Sequence, residues 1–93
     1  MHLKRNKMDI ELLKSNIKSN VYHITKDKVV ALHKHQKYDE VFYCLKGKGF
    51  GVLENQEKEL NVSDVFVVRE NTMHALCSDS EMWVASFLIP VAE

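Results

Sequence analysis

The chain is poor in several residue types. Among its 93 residues are one proline, three glycines and two cysteines, and its longest apolar runs, such as Val65-Phe66-Val67-Val68, are far short of a membrane span. Spanning a bilayer takes roughly 18 or more consecutive apolar residues, so membrane insertion is excluded as an expectation. The first residues, Met1 to Lys7, alternate polar and basic side chains without the apolar segment of about 7–15 residues that marks a secretory signal, and a cytoplasmic location follows. Cys44 and Cys77 have neither C-x-x-C spacing nor enough company for a disulfide framework, and read as buried free thiols in a reducing compartment. Charge of one sign is also missing: 13 basic side chains balance 13 acidic ones.

What is present describes one small globular domain. A hydrophobic fraction of 45% beside 28% charged residues excludes a disordered chain and a fibrous repeat, and the length leaves no room for a second core. The neutral total hides an asymmetry. Residues 1 to 48 carry 11 Lys/Arg against 5 Asp/Glu, whereas residues 49 to 93 carry 2 against 8. In one small fold these halves interdigitate, and the basic residues form no helical stripe, so the expectation is charges facing each other across strands or subunits, with no nucleic-acid partner.

Residues 1–20 form an N-terminal segment and 21–93 a single domain. In the first, Ile10, Leu12, Leu13 and Ile17 recur at near-helical spacing behind Asp9 as N-cap, predicting a short helical or irregular stretch. In the second, β-type segments alternate with turn residues every 6 to 10 positions. The predicted strands are Val21 to Thr25, Lys28 to His35, Val41 to Leu45, Phe50 to Glu54, Lys58 to Val62, Val65 to Val68, His74 to Cys77 and Met82 to Ile89. Eight short strands predict an all-β closed barrel or sandwich, the arrangement that removes exposed edges. All three glycines sit in Gly47-Lys48-Gly49-Phe50-Gly51, where a turn of positive φ would lead into a close strand crossing.

His33-Lys34-His35 places two imidazoles at i and i+2, on one face of a strand. Glu40 opens the next strand after a short loop, and His74 begins another strand after the turn Arg69 to Met73. Three imidazoles and a carboxylate make a mixed nitrogen and oxygen site of the kind that binds one divalent Mn, Fe, Ni, Cu or Zn ion. By composition, the string H-x-H-x4-E-x6-G arises by accident in roughly one such chain in a thousand.

His33-x-His35-x4-Glu40-x6-Gly47 resembles the first motif of the cupin superfamily, and Asp64 to Ser78 is similar to the second, which ends in a metal-binding histidine. The resemblance covers residues 21 to 89. It implies a small antiparallel jelly-roll barrel with His33, His35, Glu40 and His74 as ligands of one metal ion, and pairing through the sheets into a homodimer, with Met8 to Asn20 packed across the partner. Several motif positions depart from the pattern, among them Asp27, Ser63 and Asn71 in place of glycine, Arg69 in place of proline and Ser78 in place of asparagine. None is a ligand position. Asn71 suits a turn that needs a left-handed residue, and Arg69 reads as a solvated rim cation, with an anionic ligand as the alternative.

Strand alternation from Glu40 puts Phe42 and Cys44 inside, and alternation from His74 puts Leu76 and Ser78 inside. Phe42, Cys44 and Leu76 with Phe50 and Val52 outline an apolar pocket suited to a small organic ligand that reaches the metal through oxygen or nitrogen. The family contains dioxygenases, isomerases, decarboxylases and small-molecule sensors, so the resemblance implies a site rather than a reaction. Candidate bases are Tyr38, His23, Tyr43 and Glu70, with His23 reading first as an exposed or hydrogen-bonded histidine. The two function classes are a mononuclear metalloenzyme of dioxygenase or isomerase type and a non-catalytic metal- or small-molecule-binding module.

Overall fold

The computed structural model describes residues 10–91. Among the described residues, one short helix, α1 (Ile10–Asn16), precedes eight strands: β1 (Lys18–Thr25), β2 (Val30–His33), β3 (Tyr38–Gly47), β4 (Gly49–Leu53), β5 (Gln56–Leu60), β6 (Val65–Val68), β7 (His74–Cys77) and β8 (Glu81–Pro90). The helix stops where Ser15 Oγ and Asn16 Nδ2 both bond back to the Leu12 carbonyl, a local alternative that these side chains offer to further helical turns. The proposed cap, Asp9, lies outside the described residues.

All pairing is antiparallel, in two four-stranded sheets ordered β1-β8-β3-β6 and β2-β7-β4-β5. First pairs with eighth, second with seventh, third with sixth and fourth with fifth, the pattern of a strand ribbon folded at its middle and wrapped into a jelly roll. Each sheet turns one face inward because its strands alternate, as in β6, where Phe66 and Val68 are buried and Val65 and Val67 exposed. Ile24, Phe42, Cys44, Leu60, Phe66, Val68, Leu76, Met82 and Val84 form the core.

Two glycines are fixed by geometry. Gly47 has φ +79° at the β3–β4 turn, and a Cβ there would strike the Glu81 carbonyl. Gly51 lies flat beneath Phe66, where a Cβ would stand 2.5–2.7 Å from three ring atoms. That contact corrects the expected lining. Gly49, Gly51 and Leu53 are the inward residues of β4, so Phe50 and Val52 face outward opposite Cys77 and Ala75. The volume they were expected to fill is occupied from across the barrel by the Phe66 ring.

The strands differ from the expected ones mainly at polar ends. β1 begins at Lys18, since Lys18, Ser19 and Asn20 pair with Leu88, Phe87 and Ser86. β2 is shorter, ending at His33, so His35 lies in the following loop. Asn71 has φ +63°, the left-handed turn its side chain tolerates. Ser63 does so too, at φ +78°. Cross-strand charge pairing is sparse. Arg69 reaches Asp39 at 3.4 Å and is 80% exposed, a solvated rim cation with a neighbouring carboxylate. Cys44 is fully buried with its thiol toward the Lys46 and Gly47 carbonyls, whereas Cys77 is half-buried. Burial pushes both thiol pKa values up, which keeps them protonated and unreactive.

Candidate metal centre

The second sheet supplies two imidazoles by direct pairing. His33 closes β2 and His74 opens β7, and the two are register partners with ring centroids 4.2 Å apart. His35 reaches the same point from the loop, held there by the Asn71 amide, which donates to the His35 carbonyl at 2.6 Å. The left-handed conformation of Asn71 therefore ties together the two loops that carry the site. Glu40 comes from β3 in the opposite sheet, so the centre bridges the two layers of the sandwich.

The potential donor atoms meet at their tips. His74 Nε2 lies 3.0 Å and His35 Nε2 3.1 Å from Glu40 Oε1, and His33 Nε2 lies 3.2 Å from His35 Nε2. One atom from each of the four residues falls within 4.8 Å of all the others. Atoms bound about 2.1 Å from one ion at right angles are about 3.0 Å apart, so these spacings are those of neighbouring ligands. The outer nitrogens fix the tautomers. His33 Nδ1 donates to the Ala31 carbonyl at 2.6 Å and His74 Nδ1 to the Thr72 carbonyl at 2.8 Å, which in the neutral rings leaves each Nε2 a lone pair aimed inward. The donor set fits a divalent cation.

Ser86 escaped the sequence reading. Its hydroxyl donates to Glu40 Oε2 at 2.5 Å, orienting the carboxylate so that Oε1 faces the imidazoles. The signal was available: Ser86 falls on the inward parity of β8 between Met82, Val84 and Leu88, and a buried hydroxyl needs a partner. Phe42 packs against the inner side, its ring centroid 5.9 Å from that of His74. Leu76 and Cys44 are buried further inside.

The base candidates fall apart. His23 stacks on Trp83 at 4.0 Å and meets Glu81 at 2.7 Å on the outer face of the first sheet. Tyr43 donates toward Ser63 Oγ, and Glu70 accepts the Lys37 amide at the rim. Only Tyr38 of the four shares the inward parity of Glu40.

The chain matches the family model described as Cupin over residues 4–89. It belongs to the cupin family. A curated relative, an uncharacterized protein of Methanocaldococcus jannaschii, is 31% identical over 72 residues. That match takes in 71% of this chain, which spans 58% of the relative's length. Among solved structures, a predicted oxalate decarboxylase from Thermotoga maritima superposes with TM-score 0.76 at 17% identity, covering 90% of this cupin and 76% of that chain. A cupin-2 domain protein from Shewanella frigidimarina gives 0.71 at 17%, covering 82% and 72%. The DMSP lyase DddQ of Ruegeria pomeroyi gives 0.70 at 16%, covering 78% and 38%. At these identities the structural likeness establishes the jelly roll alone.

The electrostatics of the metal-free cupin follow from burial against partnership. Burial, the largest influence, pushes the Glu40 pKa up, but hydrogen bonds with His74 and Ser86 and the charges of His35 and His74 outweigh it and hold it low. Burial pushes His74 down, and Glu40 with the Thr72 carbonyl more than reverses this. A raised histidine stabilises the fold fully below its unfolded pKa of about 6.5 and loses that contribution as pH rises through the folded value. A lowered glutamate contributes fully above its unfolded pKa of about 4.3 and loses it as pH falls through the folded value. The pair therefore favours the metal-free fold most between about pH 4.3 and 6.5. A metal ion held here would need the neutral His74 ring, so its uptake would expel that proton and strengthen as pH rises. Melting temperatures from pH 5 to 9 should show the increment between metal-loaded and chelator-treated protein growing with pH. A constant or shrinking increment contradicts this arrangement.

Proposed function

We propose that the protein binds one divalent metal ion through His33, His35, Glu40 and His74 and acts on a small organic molecule that reaches the ion from the barrel mouth. The convergence of the four donors within 4.8 Å of one another, with three of the separations 3.0–3.2 Å, carries this reading. A bound ion would supply Lewis acidity and, with four protein ligands on a six-coordinate metal, two positions for other molecules. The chain's own residues do the rest. Ala31 and Thr72 hold the ring orientations, Ser86 holds the carboxylate, and Phe42 and Leu76 exclude water from the inner side.

The inventory of buried polar groups favours chemistry without a protein base. Among the described residues these are Glu40, His74, Ser78 and Ser86. Ser78 is committed to the Lys48 carbonyl and Ser86 to Glu40. Oxygenation driven by metal and substrate meets that condition, and isomerisation would rely on Tyr38. The same shortage supports the second reading, a module that holds metal or metabolite without turnover. Aerobic incubation of iron- and manganese-loaded protein with a panel of small metabolites separates them. Dioxygen uptake or product formation is expected for the enzyme; melting-temperature shifts without turnover across the panel would establish the module instead.

We also propose that two copies pair through the outer face of the β1-β8-β3-β6 sheet. Strand register lays out the rows Val21-Ala85-Tyr43-Val65 and Ser19-Phe87-Val41-Val67 with no charged side chain, and Val21 and Val67 are each 54% exposed. Four strands about 4.8 Å apart, crossed by these two side-chain rows about 7 Å apart, span roughly 270 Å² in plan. That is close to the lower end for the greatest apolar patch of a typical monomer, about 300–600 Å², and would form the centre of an interface of about 800 Å² per partner once its rim is included. An uncharged face is complementary to itself, which a two-fold pair requires. Light scattering at micromolar concentration should give twice the chain mass, and Val67→Lys should halve it. A monomeric mass for the unaltered chain refutes the pairing.

A further inference from the structure

A polar cavity opens beside the centre on the inner side of β1. Ile24 is buried, so by alternation Lys18, Asn20 and Tyr22 share its inward face. Register carries these residues across the first sheet: Lys18 aligns with Leu88 and Glu40, Asn20 with Ser86 and Phe42, and Tyr22 with Val84 and Cys44. Lys18 is thus in the same cross-strand row as the site carboxylate, two strands away. Its Nζ sits 5.4 Å from the centroid of Tyr38, which precedes Glu40 by two residues on the same face. Along these rows lies a cavity of about 220 Å³ lined by Lys18, Ser19, Asn20, Tyr22, Ser86 and Leu88. Ser86 joins it to the centre, because the hydroxyl that borders the cavity is the one bonded to Glu40 Oε2.

Its chemistry selects for anions. Asn20 Oδ1 accepts the Val21 amide at 2.8 Å, which leaves the Nδ2 group as the donor offered to a ligand. Lys18 offers an ammonium and Tyr22 a phenol, and among the described residues no acidic side chain lines the space. A divalent ion, one carboxylate and three neutral imidazoles sum to +1, and Lys18 adds another +1. An anionic group on the occupant would offset part of that charge. The volume equals that of about seven waters, enough for a molecule of a few carbon atoms.

We propose that this cavity is the carboxylate-binding subsite of the metal centre, so that the ligand is a small organic acid with a carboxylate on Lys18 and Asn20 and its other polar end toward His33, His35, Glu40 and His74. The assignment rests on the metal-site reading above. The test uses elemental analysis followed by isothermal titration calorimetry on metal-loaded protein. Lactate, malonate and succinate are the probes, and malonamide and succinamide are their uncharged counterparts. At least one acid should bind the unaltered protein at least tenfold more tightly than the diamides, and Lys18→Met should erase that preference while keeping one metal per chain; Lys18→Arg should restore part of it. Asn20→Ala should weaken the acid with metal content unchanged. Absence of metal from the unaltered protein overturns the underlying reading before any acid is added. Full metal with no acid bound, or with acid binding indifferent to Lys18→Met, overturns the subsite alone.

Discussion

Replacing both His33 and His74 by alanine should reduce bound metal from one ion per chain to background. Losing an outer partner of a ligand typically costs about 10- to 100-fold in metal affinity, and removing two of four direct donors costs far more. The pair is chosen because His33 and His74 face each other across the β2–β7 ladder, so the double variant empties one side of the centre while His35 and Glu40 remain. Its effect on folding is separable from its effect on metal. His74 is fully buried against Phe42, so the double variant is compared with His33→Ala alone, whose site is half-exposed. Elemental analysis after dialysis against a weak chelator checks the outcome, with circular dichroism confirming the fold. Stoichiometric metal in a folded double variant contradicts the ligand assignment.

The second large effect is on stability. Phe42→Ala should cost about 3–5 kcal/mol, the range for deleting a buried aromatic ring, from a total of about 5–15 kcal/mol for a domain of ordinary stability. Phe42 is 1% exposed, stacks on Phe66 with centroids 6.0 Å apart and supports the His74 ring. For a domain of this size each kcal/mol moves the melting temperature by about 4–8 °C, so the drop should be at least about 12 °C. Phe50→Ala is the paired control. That ring is half-buried on the outer face of β4, and its loss should cost about 1 kcal/mol. Thermal melts of the two variants in chelator-treated protein decide the matter; equal losses would contradict the placement of Phe50 outside the core.

That contrast also marks where the sequence was legible. Alternation alone gave all eight strands, and where a strand was short and bounded by turn residues, as with Val65–Val68 and His74–Cys77, its ends agree to the residue. The start of β1 was not legible, because Lys18, Ser19 and Asn20 carry no apolar signal and join the sheet through backbone pairing with β8. Phe50 and Val52 were misplaced because hydrophobicity suggested the interior, when the interior of β4 is glycine backbone with the Phe66 ring laid on it. The four site residues could be read from type and spacing, since few arrangements bring two imidazoles, a carboxylate and a later imidazole into so short a chain. What orients them could not. The Ala31 and Thr72 carbonyls and the Asn71 amide are backbone groups that every residue possesses, and only the fold selects which of them face the rings. The Lys18 cavity was hidden for the same reason as the start of β1.

The central claim is that donors from two sheets converge on one cation, and anomalous X-ray scattering tests it most directly. Crystals of protein purified without chelator or nickel resin should give a single strong anomalous peak about 2.0–2.2 Å from the three histidine Nε2 atoms and the Glu40 carboxylate, its absorption edge naming the element. No peak at that point, with the imidazoles turned away from one another and solvent between them, would contradict the account.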